Sequence, residues 1–198
     1  MAAHVNAKRR FSGWASIVVA LACITAAGAG AAEDGPPYSR RVVAGARLSH
    51  SPTVDGEVGE VEWKGAKLWE TFVDPRTGLP ASDWTSFLMA YDDDGIYLAA
   101  RCFHARADEI VMRETKLDGR VHDDDYIELT LDPFHTRNRG DAFLFAVNPR
   151  GTRWSTMGGD RAGKEEWKGA WAAAARVDED GWTLEMFIPW DILTLPKA

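Results

Sequence analysis

FLMAYDDDGIYLAARCF, residues 87–103, alternates on both sides of an acidic turn. Phe87, Met89 and Tyr91 fall on one face of an extended chain. Ile96, Leu98, Ala100 and Cys102 fall on one face of the next, with Tyr97, Ala99, Arg101 and Phe103 opposite. Side chains of a strand point alternately to its two faces, so this period of two marks half-buried strands. An Asp-Gly turn between two such runs predicts an antiparallel hairpin.

The same grammar repeats along the chain. Ile127, Leu129 and Leu131 alternate with Tyr126, Glu128 and Thr130, and Phe143, Phe145 and Val147 follow before an Asn-Pro turn. Trp171, Ala173, Ala175 and Val177 lead into DEDG (178–181), and Trp182, Leu184, Met186 and Ile188 leave it, which predicts a second hairpin. Short strands at spacings of roughly 8–12 residues define an all-β antiparallel sandwich, jelly-roll-like. Helix is confined to possible turns near 57–66 and 106–112. No solenoid-length repeat occurs.

The chain has 198 residues. Its start reads as a signal peptide: Lys8, Arg9 and Arg10, an apolar run from Trp14 to Ala27, then AGAGAAED. The expected organisation is a signal peptide over 1–31, a flexible leader over 32–48, and a sandwich over 49–198 that is incomplete at its C-terminal end. Removing the signal peptide takes 23 basic residues to 20 against 30 acids, a net charge of −10. That balance excludes nucleic acid, whose phosphates require lysine and arginine. Cys102 alone remains, so no internal disulfide is expected.

Nine tryptophans are present. Trp182 falls in phase with Leu184 and Met186 and reads as core. Trp84, Trp154, Trp167 and Trp171 lie among polar or Gly-rich neighbours, where an indole can stack on the C–H face of a pyranose while charged groups bond its hydroxyls. No H-E-x-x-H, G-x-S-x-G, C-x-x-C or phosphate loop occurs, so no enzymatic mechanism is legible. Asp123 and Asp124, with Asp55 from another loop, are the calcium candidates, because calcium collects carboxylate and carbonyl oxygens. The competing reading of Asp123–Asp125 is structural: turn capping and cross-loop hydrogen bonds.

Five segments in order resemble carbohydrate-binding module family 9-like domains. They are TVDGEVGEVEWKGA (53–66), MAYDDDGIYLAARCFHA (89–105), VHDDDYIELTLDPF (121–134), FAVNPRGTRWS (145–155) and DGWTLEMFIPWDIL (180–193). His122 departs from the aromatic residue usual in the third. The resemblance implies an exported, non-catalytic, sugar-binding sandwich in a polysaccharide-degrading system, linked to O-glycosyl hydrolases, with calcium serving structure. It implies a sugar clamp of Trp84 and Trp171, Arg101 as hydroxyl donor, and Trp154 and Trp167 as further contacts. A bacterial subgroup carries such a domain after a signal peptide and before a region resembling an outer-membrane barrel, which implies a periplasmic, outer-membrane-associated or secreted location. Three other readings stand beside it: an interaction or plug domain of a longer outer-membrane protein, a glycoside hydrolase in its own right, and a haem-binding electron-transfer module using Met112, Met157 or His104.

Overall fold

The computed structural model describes residues 2–8, 14–19, 45–70, 72–74, 77–81, 83–157 and 169–193. Eleven strands are defined among them: β1 (Ala2–Lys8), β2 (Trp14–Val19), β3 (Ala46–Arg47), β4 (Lys67–Trp69), β5 (Thr85–Tyr91), β6 (Gly95–Phe103), β7 (Tyr126–Asp132), β8 (Phe143–Val147), β9 (Arg153–Met157), β10 (Ala172–Asp178) and β11 (Gly181–Pro189). They form two sheets, β2-β1-β7-β8-β9 and β10-β11-β6-β5-β3, with β4 pairing β5 outside that order. Pairing is antiparallel except for the two-residue β3, which runs parallel to β5. The helical content is short 3₁₀ turns, at Ala107–Glu109, Val121–Asp123, Arg139–Asp141 and Trp190–Ile192.

Both hairpins read from the sequence are present. Tyr91 pairs Ile96 across the Asp92–Asp94 turn, and Asp178 pairs Gly181 across the other. Gly181 has φ of 143°, and a Cβ there would run into the Cys102 carbonyl, so only glycine lets β11 start this close to β6.

One apolar cluster joins the two sheets. Ile127, Leu129, Leu131, Phe143, Phe145 and Val147 come from one, and Phe87, Met89, Leu98, Leu184, Met186 and Ile188 from the other. These are the residues the period-two pattern assigned inward. Burying each stabilises the fold by about 1.5–3 kcal/mol.

Residues 2–8 and 14–19 take a place in this architecture. Ala2–Lys8 runs along β7 from Ala2 opposite Asp132 to Lys8 opposite Tyr126, and Trp14–Val19 pairs back onto it. Both segments fall within the stretch that the sequence marks as a signal peptide. The joining residues 20–44 lie outside the described residues. Among the described residues, no helix is long and apolar enough to cross a membrane.

The second sheet is covered on its outer face by residues 48–66. Leu48 and Trp63 are buried there against Ala90, Tyr97 and Ala99, with Val58, Ala66, Leu88 and Phe187 at the margin. Trp63 therefore lies outside the sheet, on its outer face. Trp69 packs against the main core, 6.4 Å from the Phe87 ring.

Candidate functional site

The outer face of the first sheet has a different character. Register places Glu128 of β7 beside Ala146 of β8 and Ala146 beside Trp154 of β9, so a carboxylate, a methyl group and an indole form one row. The small residue in the middle leaves room above it. His122, on the turn that precedes β7, reaches over: its Nε2 lies 2.9 Å from Glu128 Oε2. Its ring meets Trp154 edge-on at 4.5 Å and Tyr126 edge-on at 4.7 Å. Glu128 is buried, whereas the His122 side chain is 35% exposed. The result is a half-open aromatic surface of His122 and Trp154 backed by a buried carboxylate. Apolar ring faces beside fixed hydrogen-bonding groups suit a ligand with both C–H faces and hydroxyls.

Beside this row lies a hollow of about 260 Å³ lined by Arg113, Glu114, Arg120, Asp123 and Asp124. Its walls answer what the aspartate triplet does. Asp124 Oδ2 accepts the Glu114 N–H at 2.8 Å and Asn148 Nδ2 at 2.9 Å. Asp125 Oδ2 accepts the Val111 N–H at 2.9 Å, and the Asp125 N–H returns a bond to the Val111 carbonyl. Asp124 and Asp125 therefore clip residues 111–114 onto the first sheet, and Asp123 is left exposed at the rim. Glu114 in turn accepts the N–H groups of Thr115, Lys116 and Arg120. The Lys116 and Arg120 N–H bonds chiefly hold its carboxyl below the ordinary glutamate range.

Asn148, within the VNP-x-G segment, is fully buried and uses both ends of its amide. Nδ2 donates to the Glu114 carbonyl and to Asp124, while Oδ1 accepts from the N–H groups of Arg150 and Thr152. Four bonds saturate an asparagine amide. The turn after β8 and the strap over it are thereby one unit.

The expected sugar clamp is not assembled. Trp171 is 6% exposed and sits in the main core, edge-on to Phe145 at 5.2 Å, with its Nε1 donating to Ser155 Oγ at 3.2 Å. Its ring has no free face for a ligand, because Arg153 lies over it at 5.4 Å and donates to its carbonyl. Trp84 is 46% exposed and stands on the other sheet, next to Phe103 and Arg101. Trp154 is on the first sheet's outer face. Trp167 lies outside the described residues.

The three calcium candidates are likewise divided. Asp55 belongs to the covering segment of the second sheet, where its N–H donates to Glu185, while Asp123 and Asp124 belong to the first. Among the described residues, no group of three or more His, Cys, Asp or Glu is arranged to hold a metal ion. Neither His122 nor Glu128 was singled out as a ligand contact from sequence. The signal was present in the spacing: Glu128 follows Tyr126 on the strand's outer face, and a carboxylate among alternating strand residues is unusual.

No protein-family model and no curated protein matches the chain. Solved structures do. A Bacteroides uniformis protein described as a candidate carbohydrate-binding protein superposes with a TM-score of 0.56 at 20% identity, over 74% of this chain and 71% of that one. A carbohydrate-binding module family 9 domain of Caldicellulosiruptor kristjanssonii, solved with cellotriose, superposes at 0.51 and 20% identity, over 77% and 69%. The structure of a Caldicellulosiruptor kristjanssonii family 9 module solved with glucose gives 0.51 at 19% identity, over 77% and 72%. The chain thus shares the β-sandwich fold of these domains, the fold seen in family 9 modules.

Proposed function

We propose that this chain is a carbohydrate-binding domain and that the row Glu128, Ala146 and Trp154, with His122, forms its sugar site. The observation that carries the reading is the half-open His122–Trp154 surface over a buried carboxylate, on a fold shared with domains solved holding cellotriose and glucose. A pyranose would lay its C–H face on the Trp154 indole, and its hydroxyls would bond the free nitrogen of His122 and the polar rim of Asp123 and Arg120. Binding is reversible and no bond of the sugar is broken.

The wider role proposed is that of an exported module in a polysaccharide-degrading system, alongside glycoside hydrolases. The basic, apolar and small-residue order of residues 8–32 supports export.

The test is calorimetric titration of the folded protein with cello-, xylo- and manno-oligosaccharides, repeated on Trp154→Ala and Glu128→Gln. Saturable binding in the wild type that weakens about tenfold or more in Trp154→Ala is expected. A folded wild type that takes up none of these sugars overturns the reading.

A further inference from the structure

The outer face of the second sheet can be followed row by row. Register sets Leu88 beside Ala99 beside Glu185, then Ser86 beside Arg101 beside Thr183. The next row is Trp84, Phe103 and Gly181, with the Phe103 N–H donating to the Trp84 carbonyl at 3.0 Å. The covering segment reaches the middle row, where Thr183 Oγ1 donates to the Gly56 carbonyl at 2.7 Å. Trp84 and Phe103 lie one row further out.

There the indole packs against Phe103 in a tilted pair, centroids 4.3 Å apart and planes 39° apart, and it remains 46% exposed. One face of Trp84 is held by Phe103, so its exposed surface is the remaining ring. Gly181 places no side chain on the other flank of Phe103. The Arg101 guanidinium lies 4.8 Å over the Phe103 ring and is paired with Asp178 at 3.1 Å and Asp180 at 3.9 Å. The platform is therefore an oriented aromatic surface edged by planar donors and carboxylate acceptors, with the one cation outweighed by two carboxylates.

We propose that Trp84, Phe103 and Arg101 form a second sugar subsite for an uncharged pyranose residue of a glycan chain. The excess of carboxylate disfavours an anionic ligand, since Asp178 and Asp180 both already face the one cation. Vicinal hydroxyls match the guanidinium fork on one side and the carboxylate oxygens on the other. The preformed aromatic pair lowers the entropy lost on binding. This subsite and the His122–Trp154 surface lie on opposite sheets, so one domain would touch two chain segments or two neighbouring chains.

The experiment is calorimetric titration of the full chain with cello-, xylo- and manno-oligosaccharides, using wild type, Trp154→Ala, Trp84→Ala and the double variant. Circular dichroism checks each fold. The expected result is two sites in wild type and residual binding in Trp154→Ala, with that residue of binding lost in the double variant. Arg101→Met, which keeps the aromatic pair and the side-chain stem, should weaken the residual site about tenfold. If Trp154→Ala abolishes all binding, the second subsite is wrong and the first stands. If Trp84→Ala abolishes it and Trp154→Ala does not, the first reading fails and this one holds. No binding by wild type overturns both.

Discussion

Trp63 Nε1 donates to Glu185 Oε1 at 2.7 Å, and this bond joins the covering segment to the middle of the second sheet. The other oxygen, Oε2, accepts the N–H groups of Asp55 and Gly56 at 3.0 and 2.9 Å. Gly56 has φ of 88°, a conformation open to glycine, which aims its N–H at the carboxylate. Glu185 is fully buried, so three donors from one segment converge on a single desolvated acid. Burial pushes its carboxyl above the ordinary glutamate range, against the pull of these three donors; the Glu62 carboxylate adds to the push.

Glu185→Gln keeps the shape and loses the fit. The new amide can accept the Trp63 indole N–H or the backbone pair, but its NH₂ then faces a donor. At neutral pH the variant should lose about 1–3 kcal/mol, since a buried donor without a partner costs that much. The pH dependence carries a definite sign. A carboxyl whose folded pKa is raised contributes fully below its unfolded value, and that contribution is lost as pH rises through the folded value. Wild-type melting temperature should therefore carry a downward component across that window, and Glu185→Gln should lack it. Thermal unfolding followed by circular dichroism at stepped pH measures both; a variant as stable as wild type at neutral pH would contradict the role of the three bonds.

The contrast between the two outer faces explains what the sequence could disclose. Strands β5, β6, β7, β8 and β11 were legible because Phe87, Leu98, Leu129, Phe145 and Leu184 repeat with period two, and burial enforces that repeat. The structural role of the aspartate triplet was legible in kind, as polar residues where a strand begins. Its partners were not, because the Glu114 N–H and the Asn148 amide come from distant segments and meet Asp124 through register alone. Trp171 was misread for the same reason. Its Gly- and Lys-rich neighbourhood has the composition of a loop, while its burial depends on Phe145 and Ser155, which are brought together by pairing with β9 and packing across the sandwich. The Glu128–Ala146–Trp154 row needs three strands in register before it exists at all.

Asp92 gives the opposite pH sign. Burial pushes its carboxyl up, but the Ser51 hydroxyl at 2.7 Å, the N–H groups of Asp94 and Gly95, and the Tyr97 hydroxyl outweigh that and hold it below the ordinary aspartate range. Its contribution is present above the unfolded value and is lost as pH falls through the folded value. Asp92→Asn should therefore be less stable than wild type near neutrality, and the gap should close in acid. Equal melting temperatures for the two proteins near neutrality would rule this out.

Asp124→Ala should release the strap. The Glu114 N–H and Asn148 Nδ2 lose their shared acceptor, and the loss should be about 2–4 kcal/mol from two donors in a buried setting. Asp123→Ala, at an exposed rim, should stay within about 0.5 kcal/mol of wild type. Calcium separates the two roles further. With Asp124 Oδ2 engaged by two donors, EDTA should leave the melting temperature of wild type unchanged. A calcium-dependent rise that vanishes in Asp123→Ala would instead assign this rim to the ion.

Trp171 and Trp84 test the core assignment against a clamp made of the same two residues. Trp171 is buried against Phe145 and bonded through its Nε1 to Ser155, so Trp171→Ala should open a cavity and cost about 3–5 kcal/mol. Trp84 rests on the sheet surface and is nearly half exposed, so Trp84→Ala should cost no more than about 1 kcal/mol, the scale of a single exposed aromatic pair. Urea unfolding of the two variants gives both values from one experiment. A clamp would show the reverse pattern: Trp171→Ala as stable as wild type, with its defect confined to sugar affinity. A large loss of stability in Trp171→Ala, with Trp84→Ala nearly unchanged, leaves the two indoles in separate roles on separate sides of the second sheet.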